Sequence, residues 1–155
     1  MKLLILSDSH GYRKTLYNII RDHPDADAII FLGDGELDFK DAVIGCHLIP
    51  DKMILQVRGN CDRTSHEPET IIREFDGVRF LITHGHALNV KCGLQWIAAE
   101  ARKLGCKVAL FGHTHRKHYE ERDGVILINP GSAGQGSYYY LKIENGELEI
   151  LSVCL

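Results

Sequence analysis

The sequence predicts an α/β fold in which two sheets pack face to face between outer helices, an αββα sandwich. Three observations support this. The first half alternates short apolar runs with a helical pattern, as βαβ units do. The second half carries three Asp-Gly or Asn-Gly pairs between strand-like runs, the signature of hairpins. The bulk composition is that of an ordinary globular chain, with 155 residues, 45% hydrophobic and 25% charged. Such a length suits one domain with a real core, spanning residues 1–155.

KLLILS (2–7) reads as a buried strand that stops at DSHG. RKTLYNIIRD (13–22) sets Leu16, Ile19 and Ile20 at helical spacing, and Pro24 follows the helix end. DAIIFLGDG (27–35) and KMILQVRGNCD (52–62) are two further strands, each ending in Gly with Asp or Asn. Between and after them, 35–51, 62–70 and 86–93 read as loops that could carry specificity. GELDFKD (35–41) is acidic and reads as a solvated stretch.

From residue 73 the period changes. REFDGVRFLITHGH (73–86) is a hairpin turning at Asp76-Gly77. VKCGLQWIAAEARKLG (90–105) is an amphipathic helix with Leu94, Ile97, Ala98, Ala101 and Leu104 inward, closed by Gly105. KVALFGHTH is a buried strand, and hairpins follow at Asp123-Gly124 and Asn145-Gly146. The apolar tail strands, YYYLKI (138–143) and LEILSVCL (148–155), would offer a surface for a homo-oligomer if one of them lies at a sheet edge.

Charge and cysteines bound the function classes. A formal net charge of −3 gives no support for stable nucleic-acid binding. No apolar run reaches membrane-spanning length, and LLIL is too short for a signal peptide's apolar region. Cys46, Cys61, Cys92, Cys106 and Cys154 form no CxxC pair and are odd in number. They fit neither a disulfide framework nor a thiolate zinc site, so the expected setting is reduced and cytoplasmic.

The residues that end the apolar runs carry the chemistry. Asp8 and His10 follow LLILS, Asp34 follows IIFLG, and Asn60 and Asp62 follow ILQVRG. His84 follows FLIT, and His113 and His115 follow VALFG. Each alone reads as a turn or surface residue. Together they are five strand ends choosing Asp, Asn or His, with Gly beside them to turn sharply or to let the backbone approach a ligand. The expectation is a metal centre built from Asp8, His10, Asp34, Asn60, His84, His113 and His115. Seven ligand types exceed one tetrahedral site, and two ions about 4 Å apart sharing a carboxylate would use them all. Two divalent ions, two carboxylates and a bridging hydroxide sum to about +1, which attracts an anion. Imidazoles with carboxylate and amide oxygens favour Mn, Fe, Co, Ni or Zn over Ca or Mg.

DSH (8–10), GD (33–34), GNCD (59–62), THG (83–85) and GHTH (112–115) resemble, in order, the five blocks of the calcineurin-like metallophosphoesterases. The chain looks most similar to the small YfcE-type phosphodiesterases of bacteria and archaea, whose third block also reads GNCD. The resemblance implies a dinuclear centre at the strand ends of the two-sheet sandwich. One ion would be held by Asp8, His10 and His115, the other by Asn60, His84 and His113, with Asp34 bridging. Manganese is the first ion implied, with Ni, Fe, Zn and Co as alternatives. The implied reaction is in-line attack of a metal-bridging hydroxide on a small phosphoester or nucleotide, as in a phosphodiesterase.

Two departures shape the expectation. The larger phosphatases carry His where this chain has Cys61, a residue that reads mainly as a packing thiol although it could donate a proton. Asp62 is expected to orient a ligand, and His86 and His66 are nearby candidates for substrate contact or proton transfer. The protein phosphatases also carry an Arg after block two, whereas GDGELDF has none. Arg58, Arg63 and Arg116 lie beside the motifs and could compensate. Loss of that clamp favours a diester over a monoester dianion. A phosphomonoesterase or nucleotide pyrophosphatase on the same centre is the second reading. A third is a protein-interaction scaffold, as in a retromer coat subunit of the superfamily.

Overall fold

A computed structural model describes residues 1–47 and 51–154, and the side chains of Val153 and Cys154 lie outside that description. Residues 48–50 of the 35–51 segment and Leu155 of the last apolar run likewise lie outside the described residues. In chain order the elements are β1 (Lys2–Leu6), α1 (Arg13–Arg21), β2 (Ala28–Phe31), α2 (Glu36–Gly45) and β3 (Met53–Gln56). They continue with β4 (Thr70–Phe75), β5 (Val78–Thr83), α3 (Gln95–Lys103), β6 (Val108–Leu110) and β7 (Lys117–Arg122). β8 (Val125–Pro130), β9 (Tyr138–Glu144) and β10 (Glu147–Cys154) complete the chain.

The strands form two five-stranded sheets, ordered β10-β9-β1-β2-β3 and β4-β5-β6-β8-β7. In the first, β1 and β2 are parallel with Leu4 opposite Ile29, and β3 extends the parallel set with Ile54 opposite Ile29. In the second, β5, β6 and β8 are parallel, with β4 and β7 returning as antiparallel edges. Residues alternate between two apolar layers along each strand. Leu3, Ile5, Ile30, Phe80, Ile82, Leu110 and Ile128 meet between the sheets. Leu4, Leu6, Ile29 and Phe31 pack under α1 and α2, while Leu81, Ala109 and Leu127 pack under α3. Both faces are buried, which is why these runs read as continuous apolar stretches.

All three hairpins turn where expected. Asp76-Gly77, Asp123-Gly124 and Asn145-Gly146 each place two successive residues at positive φ. That is the type I′ turn, whose twist matches that of the flanking strands. β10 pairs only with β9 among the described residues and carries a register shift between Ile150 and Ser152.

Two expectations need correcting. The acidic stretch at 35–41 is not a loop but the start of α2, whose inner face is Asp38, Phe39, Ala42 and Val43. A carboxylate on that face hid the amphipathic pattern; Asp38 is held there by Ser9 Oγ at 2.8 Å and the Gly11 N–H at 2.7 Å. The helix expected over 90–105 begins only at Gln95. Gly93, at φ +143°, breaks the approach, and residues 90–94 form a loop instead. Leu94 and Leu104 still pack, half-buried, against the layer under α3.

Candidate metal centre

The carboxyl ends of the parallel strands all open on one crevice, where ligands bind in open α/β sheets. Asp8 and His10 come from the loop after β1, Asp34 from the loop after β2, and Asn60 from the segment after β3. His84 follows β5, and His113 and His115 follow β6. Five of the seven take the left-handed backbone conformation: Asp8 (φ 54°), His10 (φ 44°), Asp34 (φ 60°), His113 (φ 67°) and His115 (φ 57°). A non-glycine residue there costs about 1–2 kcal/mol, and such strain concentrates at functional sites. The turning is therefore done largely by the polar residues themselves. Some neighbouring glycines serve close approach instead. A Cβ on Gly59 would lie 2.0 Å from Asp34 Oδ1, and one on Gly112 would lie 2.0 Å from Ser7 Oγ.

Among the described residues, the potential ligand atoms gather in two groups: Asp8, His10, Asp34 and His115; and Asp34, His84 and His113. Asp34 belongs to both. Its Oδ1 accepts the Cys61 N–H at 2.8 Å, while its Oδ2 lies 3.3 Å from His84 Nε2 and 3.9 Å from His10 Nε2. Asp8 Oδ1 is 3.1 Å from His115 Nε2 and 3.6 Å from His10 Nε2. Asn60 Oδ1 lies 3.1 Å from His84 Nε2, bringing the seventh expected residue to the second group.

The donor chemistry fits cations. His84 Nδ1 is 2.6 Å from the Leu32 carbonyl and donates to it, so in the neutral ring Nε2 aims a lone pair at two oxygens. His10 Nε2 and His115 Nε2 approach to 3.0 Å, room for at most one proton between them. Asp8 Oδ1 is buried with no hydrogen-bond donor. An electropositive ion in each group relieves all three arrangements.

Electrostatics within the protein alone tell the same story. Burial acts against charge on His84, yet the Asp34 and Asp8 carboxylates outweigh it and hold its pKa above the ordinary value. Burial likewise acts against Asp34, but His84 and the Cys61 amide hold its carboxyl well below the usual range. Asp8 goes the other way, raised chiefly by burial. His113 is pushed down to about 4, first by burial and then by the positive charge on His84.

Supporting residues fix these loops. Asp62 accepts backbone N–H bonds from Asp34, Gly35, Glu36 and Gly59 at 2.8–3.1 Å. Ser7 Oγ donates to Asp8 Oδ2 at 2.5 Å, and Ser132 Oγ donates to the Asp8 carbonyl at 2.7 Å. Asn129 Nδ2 bonds both the Gly112 carbonyl and Thr114 Oγ1, bracing the turn that carries His113 and His115. Sequence reasoning missed Ser7, Asp38 and Asn129. The one available signal was a polar Asn inside the apolar run VILINP.

The remaining expected residues separate. The His86 ring is half-buried, 5.4 Å from His84 and 6.2 Å from His113 between centroids, and burial lowers its pKa. The exposed Cys61 thiol has its pKa raised, by burial first and then by Asp34. His66 is exposed and joins neither group. Arg58 pairs with Glu69 at 2.7 Å. Arg63 lines a cavity of about 420 Å³ beside His10, Asp34 and Cys61, and Arg116 lines a second cavity.

The family model of the calcineurin-like phosphoesterase superfamily domain matches residues 1–146. The chain belongs to this superfamily. Over 152 residues it is 32% identical to a probable metallophosphoesterase, YsnB, of Bacillus subtilis, covering 94% of this chain and 86% of that protein. A 59-residue stretch is 42% identical to a phosphodiesterase of Methanocaldococcus jannaschii, covering 37% of this chain and 31% of that one. Among solved structures, Vps29 of Entamoeba histolytica complexed with zinc superposes with a TM-score of 0.77 at 19% identity, covering 96% of this chain and 89% of that chain. The last likeness shows the fold alone. Within the calcineurin-like superfamily the use of divalent metals is general, and the two groups are candidate ligand sets for such ions here. None of the described helices is long and apolar enough to cross a membrane.

Proposed function

We propose that the chain is a metal-dependent phosphodiesterase that hydrolyses a small phosphoester, such as a nucleotide diester, at a dinuclear centre. The observation that carries this is Asp34 Oδ2, which faces His10 of one ligand group and His84 of the other. Asp8, His10 and His115 would hold one ion, and Asn60, His84 and His113 the other. Asp34 would bridge them. The donor set suits Mn, Ni, Fe, Co or Zn, and manganese is the first to test. When bound, divalent ions there supply Lewis-acid stabilisation of the phosphoryl oxygens and lower the pKa of a nearby water.

The protein's own part is positioning. Asp62 fixes the backbone under Asp34, so the shared carboxylate does not reorganise as charge develops. Ser7 and the His113 N–H, the latter at 3.1 Å, hold Asp8 Oδ2 and leave Oδ1 aimed at the histidines. His86 flanks His84 and His113, where it would contact the substrate. The Cys61 thiol is a poor proton donor, so leaving-group protonation falls to water and good leaving groups are favoured.

A diester is preferred over a monoester because Arg58 is tied to Glu69, and Glu36, Asp38 and Asp62 line the cavity beside Cys61, an acidic flank that disfavours a monoester dianion. The phosphodiesterase among the relatives supports the same choice. A phosphomonoesterase or pyrophosphatase would use the same centre, and the Vps29 fold keeps a protein-interaction scaffold as the third reading. The test is metal-stripped protein titrated with Mn, assayed on bis(4-nitrophenyl) phosphate beside 4-nitrophenyl phosphate. Metal-dependent turnover favouring the diester is expected. Preference for the monoester would move the function to the second reading. No turnover of either substrate, with two metals bound, would favour the scaffold.

A further inference from the structure

Beside the turn that carries His113 lies a cavity of about 500 Å³ between the 90–94 loop and the 111–118 segment. This cavity adjoins the loops that carry His84 and His113. Phe111 and Thr114 bracket His113 in sequence, and Val90 packs so closely on Gly85, next to His84, that a Cβ there would meet it at 2.9 Å. Its floor is apolar, from Val90, Leu94 and Phe111, and its rim carries Lys91 and Arg116. Both cations are exposed, and neither side chain forms an ion pair among the described residues. The contrast with the cavity on the other flank is sharp, since that one is lined by Glu36, Asp38 and Asp62, with Arg63 beside them.

A phosphodiester has two arms leaving one phosphorus, and two cavities of opposite charge flank this one centre. We propose that the Lys91–Arg116 cavity is a specificity subsite that takes the substrate arm carrying a ring and a further anionic group, such as a nucleoside bearing a second phosphate. The inference rests on the phosphodiesterase reading for its place in the reaction, but the anion site can be tested apart from turnover. The apolar floor covers a ring face, and the two unpaired cations supply charge-assisted hydrogen bonds that a neutral arm cannot use. The acidic cavity would then receive the neutral arm.

Calorimetric titration of metal-loaded protein with thymidine 3′,5′-bisphosphate and with thymidine 5′-phosphate tests this. The bisphosphate is expected to bind about tenfold more tightly, the scale of one or two charge-assisted hydrogen bonds. Lys91→Gln with Arg116→Gln should bring the two affinities to near parity, and each single variant should take part of that loss. Lys14→Gln, an exposed charge elsewhere, should leave the preference intact. The ratio of kcat/KM for the 4-nitrophenyl esters of the same two nucleotides should follow the same pattern. Equal affinities in the parent protein, or a preference that survives the double variant, would overturn the inference. A preference that the double variant removes, in a protein that hydrolyses neither ester, would keep the anion site and overturn the phosphodiesterase reading.

Discussion

Asp62 fastens the loop that presents Asp34: its Oδ2 accepts the Asp34 N–H at 2.8 Å across 28 residues of chain. The same carboxylate takes the N–H groups of Gly35 and Glu36, the unpaired donors at the start of α2, and that of Gly59. One side chain thus caps a helix, joins the ends of β2 and β3, and sets the backbone under the shared carboxylate.

Asp62→Ala should therefore cost stability and metal affinity together. Four backbone donors lose their acceptor, and with water reaching part of the loop we expect a loss of about 2–4 kcal/mol in denaturant unfolding. Asp62→Asn keeps one acceptor oxygen and should lose less. Wild-type stability in the alanine variant would show that the loop is held by other contacts.

Asp34→Asn separates charge from shape. The amide oxygen can still accept the Cys61 N–H, but the carboxylate facing both histidine groups is gone. Bound metal measured by elemental analysis should fall, and turnover should drop by about a thousandfold or more, equal to about 4 kcal/mol of transition-state stabilisation. A variant that keeps its metal and its rate would remove Asp34 from the centre.

Gly59→Ala tests the close approach of β3 to the Asp34 loop. The added methyl would lie 2.5 Å from Asp34 N and 2.0 Å from Asp34 Oδ1, so backbone must move. The expected result is a lower thermal midpoint together with weaker metal binding. The same substitution at Gly105, where a Cβ meets nothing within 4 Å, should perturb folding only through its φ of +68° and leave the metal alone.

Cys61 divides its roles between backbone and side chain. Its N–H binds Asp34, while its exposed thiol, with a raised pKa, stays protonated near neutrality. Cys61→Ser should keep kcat within about threefold, the scatter of a surface substitution. A hundredfold loss would instead make the thiol a participant.

What the sequence disclosed and what it hid follow from the same physics. Strands buried on both faces announce themselves as apolar runs, and a type I′ turn demands Asn-Gly or Asp-Gly, so β1, β2 and all three hairpins were legible. The clustering of the candidate ligand residues was legible because His, Asp and Asn sit where those runs stop. α2 was not, because its cap is Asp62, far along the chain, and its buried Asp38 is satisfied by Ser9 and Gly11. The Lys91–Arg116 cavity was also hidden: α3 starts only at Gln95, after Gly93 at φ +143°, which leaves Val90, Lys91 and Leu94 on a loop, a backbone effect that side-chain periodicity does not report.

The amino ends of the strands offer a pH test away from the metal centre. Lys2 Nζ donates to Asp25 at 2.6 Å and the Tyr140 hydroxyl donates to it at 2.9 Å, and these bonds hold the Asp25 carboxyl down at about 2 against an ordinary 3.8. A depressed carboxylate stabilises the fold above its unfolded pKa and loses that contribution as pH falls through the folded value, here between about 4 and 2. Tyr140 is shifted the opposite way, raised by burial and by Asp25, so its contribution is present below the ordinary phenol range and fades only at strongly alkaline pH. The pair therefore contributes across the whole neutral range. Carbon-detected titration should find Asp25 near 2 in the parent protein, and Tyr140→Phe should move it part of the way back toward 3.8. With Lys2→Ala added, the Asp25 titration should return to the ordinary carboxylate range, and the acid limb of the unfolding curve should flatten. An Asp25 pKa that ignores both substitutions would assign the shift to the surrounding backbone instead.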